Sequence, residues 1–426
     1  MSSSTGPFIT SETLNSQKAT SNSQCTTTDI SKGERLSHGL SINNAIPIIA
    51  FSHIKWNSVW RRPQEILSRL SSKHAVLYIE EPEGCKEIHN PEPAMRYDRL
   101  FPNVLILCPR LPGSLMETRN SQDEGVKAVV DQVLTLPLGQ TFQSPLLWFC
   151  NPMPAPLFIH ALGERIVVYD CIEEFSHSNG TPAELAERED MLLAEADIIF
   201  TKGNEMYNMK SRESDNVYYY REGADSLHFS KALNNETEVP DFLIRLEGPI
   251  LGYFGTIDDR LDFGLIEFVS KERPDWNLVM IGPPKKVQES SLPHSANIFW
   301  FGFKKYVDLP GIAKSFDVCI MPFAINDATR NASPTKALEY MATGTPVVST
   351  AIKEVEEQYF DIIKIGRSYQ GFLDLCDSAI HRPDIAAIER GRRMARQNGW
   401  ESLLERLQHH MNAALAKADH IKAATK

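Results

Sequence analysis

The sequence has no excess of positive charge: 44 lysines and arginines stand against 55 aspartates and glutamates in 426 residues, a formal net charge of −11 at pH 7. Nucleic-acid binding runs on cations that displace counterions from phosphate, so a binder working by bulk charge is excluded, and any bound anion is expected in a local pocket. Cysteine is sparse and scattered: seven residues, from Cys25 to Cys376, form no C-x-x-C pair. Neither a zinc cluster nor a disulfide framework is indicated, and a reducing cytoplasm is the natural compartment. No long apolar run is present either. The uncharged stretch Thr135 to Gly163 is broken by Pro137, Pro145, Pro152, Pro154 and Pro156, and a spanning helix needs about 20 apolar residues. The N-terminus has no positive start followed by an apolar stretch, so no secretory signal is expected. G-x-G and G-x-x-x-x-G-K-[ST] are both missing, which argues against a dinucleotide fingerprint and a P-loop. No D-x-D pair is available to chelate a metal carrying a diphosphate, and Asp258–Asp259 runs directly into Arg260. No metal and no cofactor are expected.

What is present is the composition of a globular protein, 42% hydrophobic and 23% charged, long enough for two or three domains at roughly 150 residues each. Residues 1–44 hold 17 serines and threonines and few apolar residues. They cannot bury enough surface to offset the entropy of ordering and are expected to be a disordered tail. From Ala45 short apolar runs recur: AIPIIAF (45–51), AVLYIE (75–80), VLILC (104–108), LLWFC (146–150), RIVVYD (165–170), DIIFT (197–201) and VYYY (217–220). Such continuous runs suit strands buried on both faces of a parallel sheet.

Helical patterns separate the runs. RPQEILSRLSS (62–72) places Pro63 in a first turn, and TPAELAEREDMLLAEA (181–196) opens with Thr181, Pro182 and Glu184, a helix-start signature. Strand and helix alternate, which predicts an α/β fold. A polar interval at 231–249 reads as a linker, after which ILGYFG (250–255), NLVMIG (277–282), NIFWFG (297–302), DVCIMP (317–322), PVVST (346–350) and IIKIG (362–366) begin a second series. The expected division is a tail (1–44), an N-terminal Rossmann-like acceptor domain (45–235), a C-terminal Rossmann-like donor domain (236–399) and a packing helix (400–426). The two domains are expected to face each other across a cleft, with ligand outside the carboxyl ends of the strands. The last segment carries Leu403, Leu404, Leu407, Met411 and Leu415 at helical spacing.

The chemistry concentrates in NASPTKALEYMATGTPVVST (331–350). A loop of small polar residues opens a helix carrying Lys336 and Glu339 in its first turns. Free backbone N–H groups and the positive end of the helix dipole suit a phosphate without metal. Lys336 adds a point charge, and the two oxygens of Glu339 can accept from two vicinal ribose hydroxyls. The alternative is that Ser333-Pro334 simply caps the helix and Glu339 is a solvated or ion-paired face residue.

The run P-x-K-x-x-E-Y-x-A-x-G-x-P-V-V-S-T (334–350) resembles the donor-binding helix of GT-B nucleotide-sugar glycosyltransferases, especially the retaining group known as glycosyltransferase family 4. Residues 250–284 look like the first strand, arginine-bearing loop, helix and second strand of that donor domain, and 297–323 like the next repeats. In the N-terminal half, W-x-x-V-W-x-R-P-Q (56–64) followed by YIEEP resembles a bacterial subgroup associated with surface polysaccharide assembly. The resemblance spans residues 45–410 and rests on several segments in the right order.

It implies that Gly255 and the loop to Arg260 lie beside the donor diphosphate, with Arg260 and Lys336 neutralising it. The backbone from Ser333 to Thr335 would contact it and Glu339 would hold the ribose. For Gly255 a turn requirement is the alternative, and for Arg260 an ion pair with Asp258, Asp259 or Asp262. One position departs from the pattern: Asn331 stands where the family usually has a glutamate touching the donor sugar. An amide bonds sugar hydroxyls but brings no charge to stabilise an oxocarbenium ion. In the N-terminal half His53, Asp170 and Glu173 follow strands and are candidate catalytic residues, with Trp60, Arg61 and Arg62 on the acceptor side. A structural histidine and helix-capping carboxylates are the alternatives.

The resulting expectation is a cytoplasmic, metal-independent, retaining hexosyltransferase moving a sugar from a nucleoside diphosphate sugar to a hydroxyl of a saccharide or lipid-linked saccharide. Peripheral contact with the inner face of the membrane fits the lipid-linked case, though no basic amphipathic helix supports tight docking. A nucleotide-sugar epimerase of the same fold and a non-catalytic scaffold subunit remain the alternatives.

Overall fold

Apolar strands without alternation build both halves of the chain. The structure, a computed structural model, describes residues 45–424 except 59, 174–181, 221–222, 286, 327–328 and 330–334. The chain divides into two units, one running to Arg221 and taking in Leu404 onward, the other Glu222–Leu403.

In the N-terminal unit the described strands are β1 (Ile48–Phe51), β2 (Val76–Ile79), β3 (Glu83–Cys85), β4 (Glu92–Tyr97), β5 (Val104–Pro112), β6 (Leu146–Phe149), β7 (Ile166–Cys171), β8 (Ile198–Thr201) and β9 (Val217–Tyr219). They form one sheet in the order β3-β5-β2-β1-β6-β7-β8-β9, with β4 paired to β5. Every pairing is parallel except β4 with β5. The parallel register sets Ile48 beside Val76 on one side and Leu146 on the other. The strands IIAF, VLYI, LLWF, IVVYDC and IIFT are buried at every position, because helices cover both faces and no water-facing row remains. β3, largely exposed, and β4, half-buried, are edge strands that the apolar pattern does not signal. Arg62–Leu70 is helical with Pro63 in its first turn. Ala183–Glu195 is helical behind Pro182, while Thr181 lies outside the described residues.

The C-terminal unit contains β10 (Ile250–Phe254), β11 (Asn277–Ile281), β12 (Ile298–Trp300), β13 (Val318–Met321), β14 (Val347–Thr350) and β15 (Lys364–Gly366), all parallel in the order β12-β11-β10-β13-β14-β15. One apolar layer, including Phe229, Phe254, Met321, Tyr340 and Val355, covers one face; Leu251, Leu265, Trp276, Met280 and Phe372 belong to the other. Within this unit Phe229 stacks on Phe254 with ring centres 5.3 Å apart. The polar interval 231–249 lies inside this unit and holds the short helix Asp241–Ile244. In the helix Trp400–Ala424, Trp400 N–H donates to Ala224 O, and farther along Asp419 pairs with Arg165. Leu403, Leu407 and Met411 are buried, as their spacing requires. Among the described residues no helix is long and apolar enough to cross a membrane.

Candidate donor site and acceptor-side residues

The carboxyl ends of β10, β11 and β13 carry the candidate donor-site residues. Gly255 follows β10 and Gly282 follows β11, and their backbones meet: a Cβ on Gly282 would stand 1.7 Å from Gly255 O. Gly282 has φ +145°, so two independent constraints require glycine there. This contact leaves the loop after β10 bare of side chains at its first residue, where backbone can approach a ligand.

The loop from Asp258 to Asp262 is stitched to the chain after β13. Asp262 N–H donates to Pro322 O, Ala324 N–H donates to Arg260 O, and Leu261 bridges Phe323 in antiparallel sense. Asp262 caps the helix Phe263–Glu272 through Leu265 N–H and also accepts from the Tyr369 hydroxyl. Within this loop Arg260 donates from Nε to Asp258 Oδ1 at 2.9 Å and from Nη2 to Oδ2 at 2.7 Å. Burial pushes the Asp258 carboxyl up, but the Arg260 hydrogen bonds outweigh that and hold it below its ordinary value. Arg260 is thus the ion-paired residue foreseen as one alternative, with a guanidinium still partly open to solvent.

Lys336 and Glu339 lie in the first turns of the helix Thr335–Thr343, three residues apart and on one face. Lys336 Nζ stands 2.6 Å from Glu339 Oε2 and 4.5 Å from the Phe254 ring centre. Both side chains are mostly but not wholly buried. Tyr340, next in sequence, points to the strand: its hydroxyl accepts from Phe254 N–H at 2.9 Å and donates to Phe254 O at 3.2 Å. Arg260, Asp258 and Glu339 all act on the Tyr253 hydroxyl: burial raises its pKa first, Arg260 opposes, and the two carboxylates add to the rise. One phenol so registers residues from the β10 loop and from the helix. Thr335 begins the helix, while Asn331 and Ser333 lie outside the described residues. Among the described residues no group of three or more His, Cys, Asp or Glu could hold a metal.

In the N-terminal unit the candidates separate. His53, Arg61 and Glu173 meet at the carboxyl ends of β1 and β7: His53 Nε2 is 3.7 Å from Glu173 Oε2, and Arg61 Nη1 is 4.0 Å from Oε1. Trp60 packs against Phe101 and Trp56, with ring centres 5.5 Å and 6.0 Å away. Asp170 and Arg62, expected at the catalytic and acceptor positions, are in the interior instead. Arg62 Nε donates to Asp170 Oδ1 at 2.7 Å, and the two side chains are 2% and 0% exposed. The physical reason is that β7 is covered to its last residue, so its carboxylate faces protein. Burial raises the Asp170 pKa, and Arg62 only partly offsets this. Arg62 Nη1 also donates to Tyr220 O, so the pair ties the first helix to the end of β9.

Sequence reasoning singled out neither Phe254 nor Tyr340. The only signal was the tyrosine following Glu339, which one helical step turns from the face of Lys336 and Glu339 toward β10.

Residues 248–368 match the family described as Glycosyl transferases group 1. A protein of Bacillus subtilis (strain 168) assigned by name to teichuronic acid biosynthesis as the glycosyltransferase TuaH is 24% identical over 284 residues, covering 61% of this chain and 70% of that one. Among solved structures, α,α-trehalose 6-phosphate synthase from Burkholderia multivorans superposes with a TM-score of 0.56 at 13% identity, covering 88% of this chain and 100% of the other. A trehalose-6-phosphate structure from E. coli bound with UDP-2-fluoro glucose gives 0.54 at 11% identity, covering 87% and 99%. Residues 248–368 thus match the group 1 glycosyltransferases, and the two parallel-sheet units have the GT-B fold.

Proposed function

We propose that the chain transfers a sugar from a nucleoside diphosphate sugar to a saccharide or lipid-linked saccharide hydroxyl in polysaccharide or glycoconjugate synthesis. The proposal includes retention of anomeric configuration and no metal, with the work done in the cytoplasm, at the inner face of the membrane for a lipid-linked acceptor. The observation that carries it is the Lys336–Glu339 pair in the first turns of a helix whose next residue, Tyr340, is clamped to Phe254 at the end of β10. A cation there neutralises charge growing on a departing diphosphate, and Arg260 adds a second. Glu339 supplies acceptors for ribose hydroxyls. In the same reading Thr335, Ser333 and Gly255 offer backbone to the phosphates, and Asn331 meets the donor sugar. His53, Glu173, Arg61 and Trp60 line the acceptor side. The Bacillus relative named for teichuronic acid synthesis supports a polysaccharide product, and the UDP-2-fluoro glucose bound in the E. coli structure makes UDP the first nucleotide to try.

The test is thermal stabilisation by UDP, GDP, ADP and TDP of the wild type, Lys336→Ala and Glu339→Ala, since a ligand that binds only the folded state raises its apparent stability. Saturable stabilisation by one nucleotide, lost in both variants, is expected. No stabilisation by any of the four overturns the donor-site reading. Turnover undiminished by EDTA and an unchanged anomeric configuration, read by NMR of the product, test the finer points.

A further inference from the structure

Lys336 has two neighbours of different kinds. Glu339 neutralises it, whereas the Phe254 ring 4.5 Å away attracts it without cancelling its charge. On the reading above, ribose hydroxyls draw on the same Glu339 oxygens. When they do, the carboxylate's hold on the ammonium weakens, and the aromatic face is what remains to keep a four-carbon flexible stem in place.

The ring is built for that task. Phe254 is the last residue of β10 and is 1% exposed. It stacks on Phe229 at 5.3 Å with planes 7° apart, and Tyr340 meets it edge-on at 4.7 Å and 89°. Its backbone N–H and C=O are both bonded to the Tyr340 hydroxyl. Tyr340 and Lys336 share one helix, so the cation and the clamp that orients the ring move as one body.

We propose, resting on the donor-site reading, that Phe254 is a positioning residue whose π face holds the Lys336 ammonium against the donor diphosphate while Glu339 is engaged by the ribose. The ligand class that senses it is the diphosphate and not the nucleoside. Loss of the π face therefore weakens UDP binding and leaves uridine binding unchanged. A residue that merely filled the core would weaken both alike.

The experiment measures dissociation constants of the full chain for UDP, GDP, ADP and TDP and for each parent nucleoside by calorimetry. The wild type is compared with Phe254→Leu, Phe254→Tyr and chains carrying mono-, di- and trifluorinated phenylalanine at 254, which keep the shape while draining the ring face. The expected result is a stepwise fall in the diphosphate-over-nucleoside preference with fluorination, about threefold to tenfold at the end of the series. Phe254→Tyr is expected to hold the preference, and fluorination is expected to have no effect in a Lys336→Met background. A preference unchanged along the series, or a fall that persists in Lys336→Met, overturns the proposal while leaving the donor site intact. No nucleotide binding by the wild type overturns the donor-site reading and this proposal with it.

Discussion

The Tyr340 hydroxyl takes the place of a missing strand neighbour for Phe254. Gly255 N–H donates to Ile281 O on β11, so the preceding N–H, that of Phe254, faces the β13 side. There the ladder pairs only Leu251 and Gly252, and beyond them the Tyr340 hydroxyl serves both Phe254 backbone groups at 2.9 Å and 3.2 Å. Tyr340→Phe leaves a buried donor and a buried acceptor without that partner, a cost of about 1–3 kcal/mol. The expected outcome is a lower urea midpoint with an unchanged slope, together with weaker nucleotide stabilisation because the helix start loses its fixed distance from β10. Wild-type stability in Tyr340→Phe would show that the clamp is incidental.

Asp170 answers to stability. Its carboxylate is buried against Arg62 at 2.7 Å, and removing one member of such a pair strands the other charge in the interior. Asp170→Ala is expected to cost about 3–5 kcal/mol. Asp170→Asn keeps an acceptor for Arg62 Nε and costs less, and Arg62→Met combined with Asp170→Leu recovers part of the loss by removing both charges. Denaturant unfolding of the four chains checks the order. A folded, wild-type-stable Asp170→Ala would contradict the structural role.

His228 makes stability fall in mild acid. Its Nε2 donates to Tyr306 O at 2.8 Å and the ring stacks on Tyr306 at 4.2 Å, while Nδ1 is buried without a partner. Burial lowers its pKa from the ordinary value of about 6.5, and the Tyr306 carbonyl and Asp225 offset only part. The unfolded chain then binds the proton more readily than the folded one, so the contribution is complete above pH 6.5 and is lost as pH drops below it. His410, lowered by burial and by His409, acts in the same direction. The urea midpoint of His228→Gln is expected to fall less between pH 7 and pH 5 than that of the wild type. Parallel declines would assign the whole effect elsewhere.

What the sequence made legible follows interaction range. Strands such as IIAF and NLVMI read directly because burial on both faces leaves continuous apolar runs. β3 and β4 did not, because an edge strand keeps polar residues. Lys336 and Glu339 were legible as a pair because three residues is one helical turn. Arg62 with Asp170, and Phe254 with Lys336, join residues far apart in the chain, and no local pattern encodes which strand end receives which helix. The Phe229–Phe254 stack was hidden for the same reason, being a tertiary contact.

Gly282 and Gly302 separate backbone strain from collision, and with them the role of the glycine contact at the donor site. Both have positive φ, +145° and +63°. A Cβ on Gly302 meets nothing within 4 Å, whereas one on Gly282 would stand 1.7 Å from Gly255 O. Gly302→Ala is therefore expected to cost only the conformational strain, about 1 kcal/mol. Gly282→Ala adds a clash with main chain that cannot rotate away, so strands β10 and β11 must part at their carboxyl ends. Its cost is expected to exceed the strain range of about 1–3 kcal/mol, and any residual folded protein should lose nucleotide stabilisation that Gly302→Ala retains. Thermal shift with and without UDP on the two variants measures both effects. Equal losses in stability and in nucleotide response would mean that the Gly255–Gly282 contact does not shape the donor site.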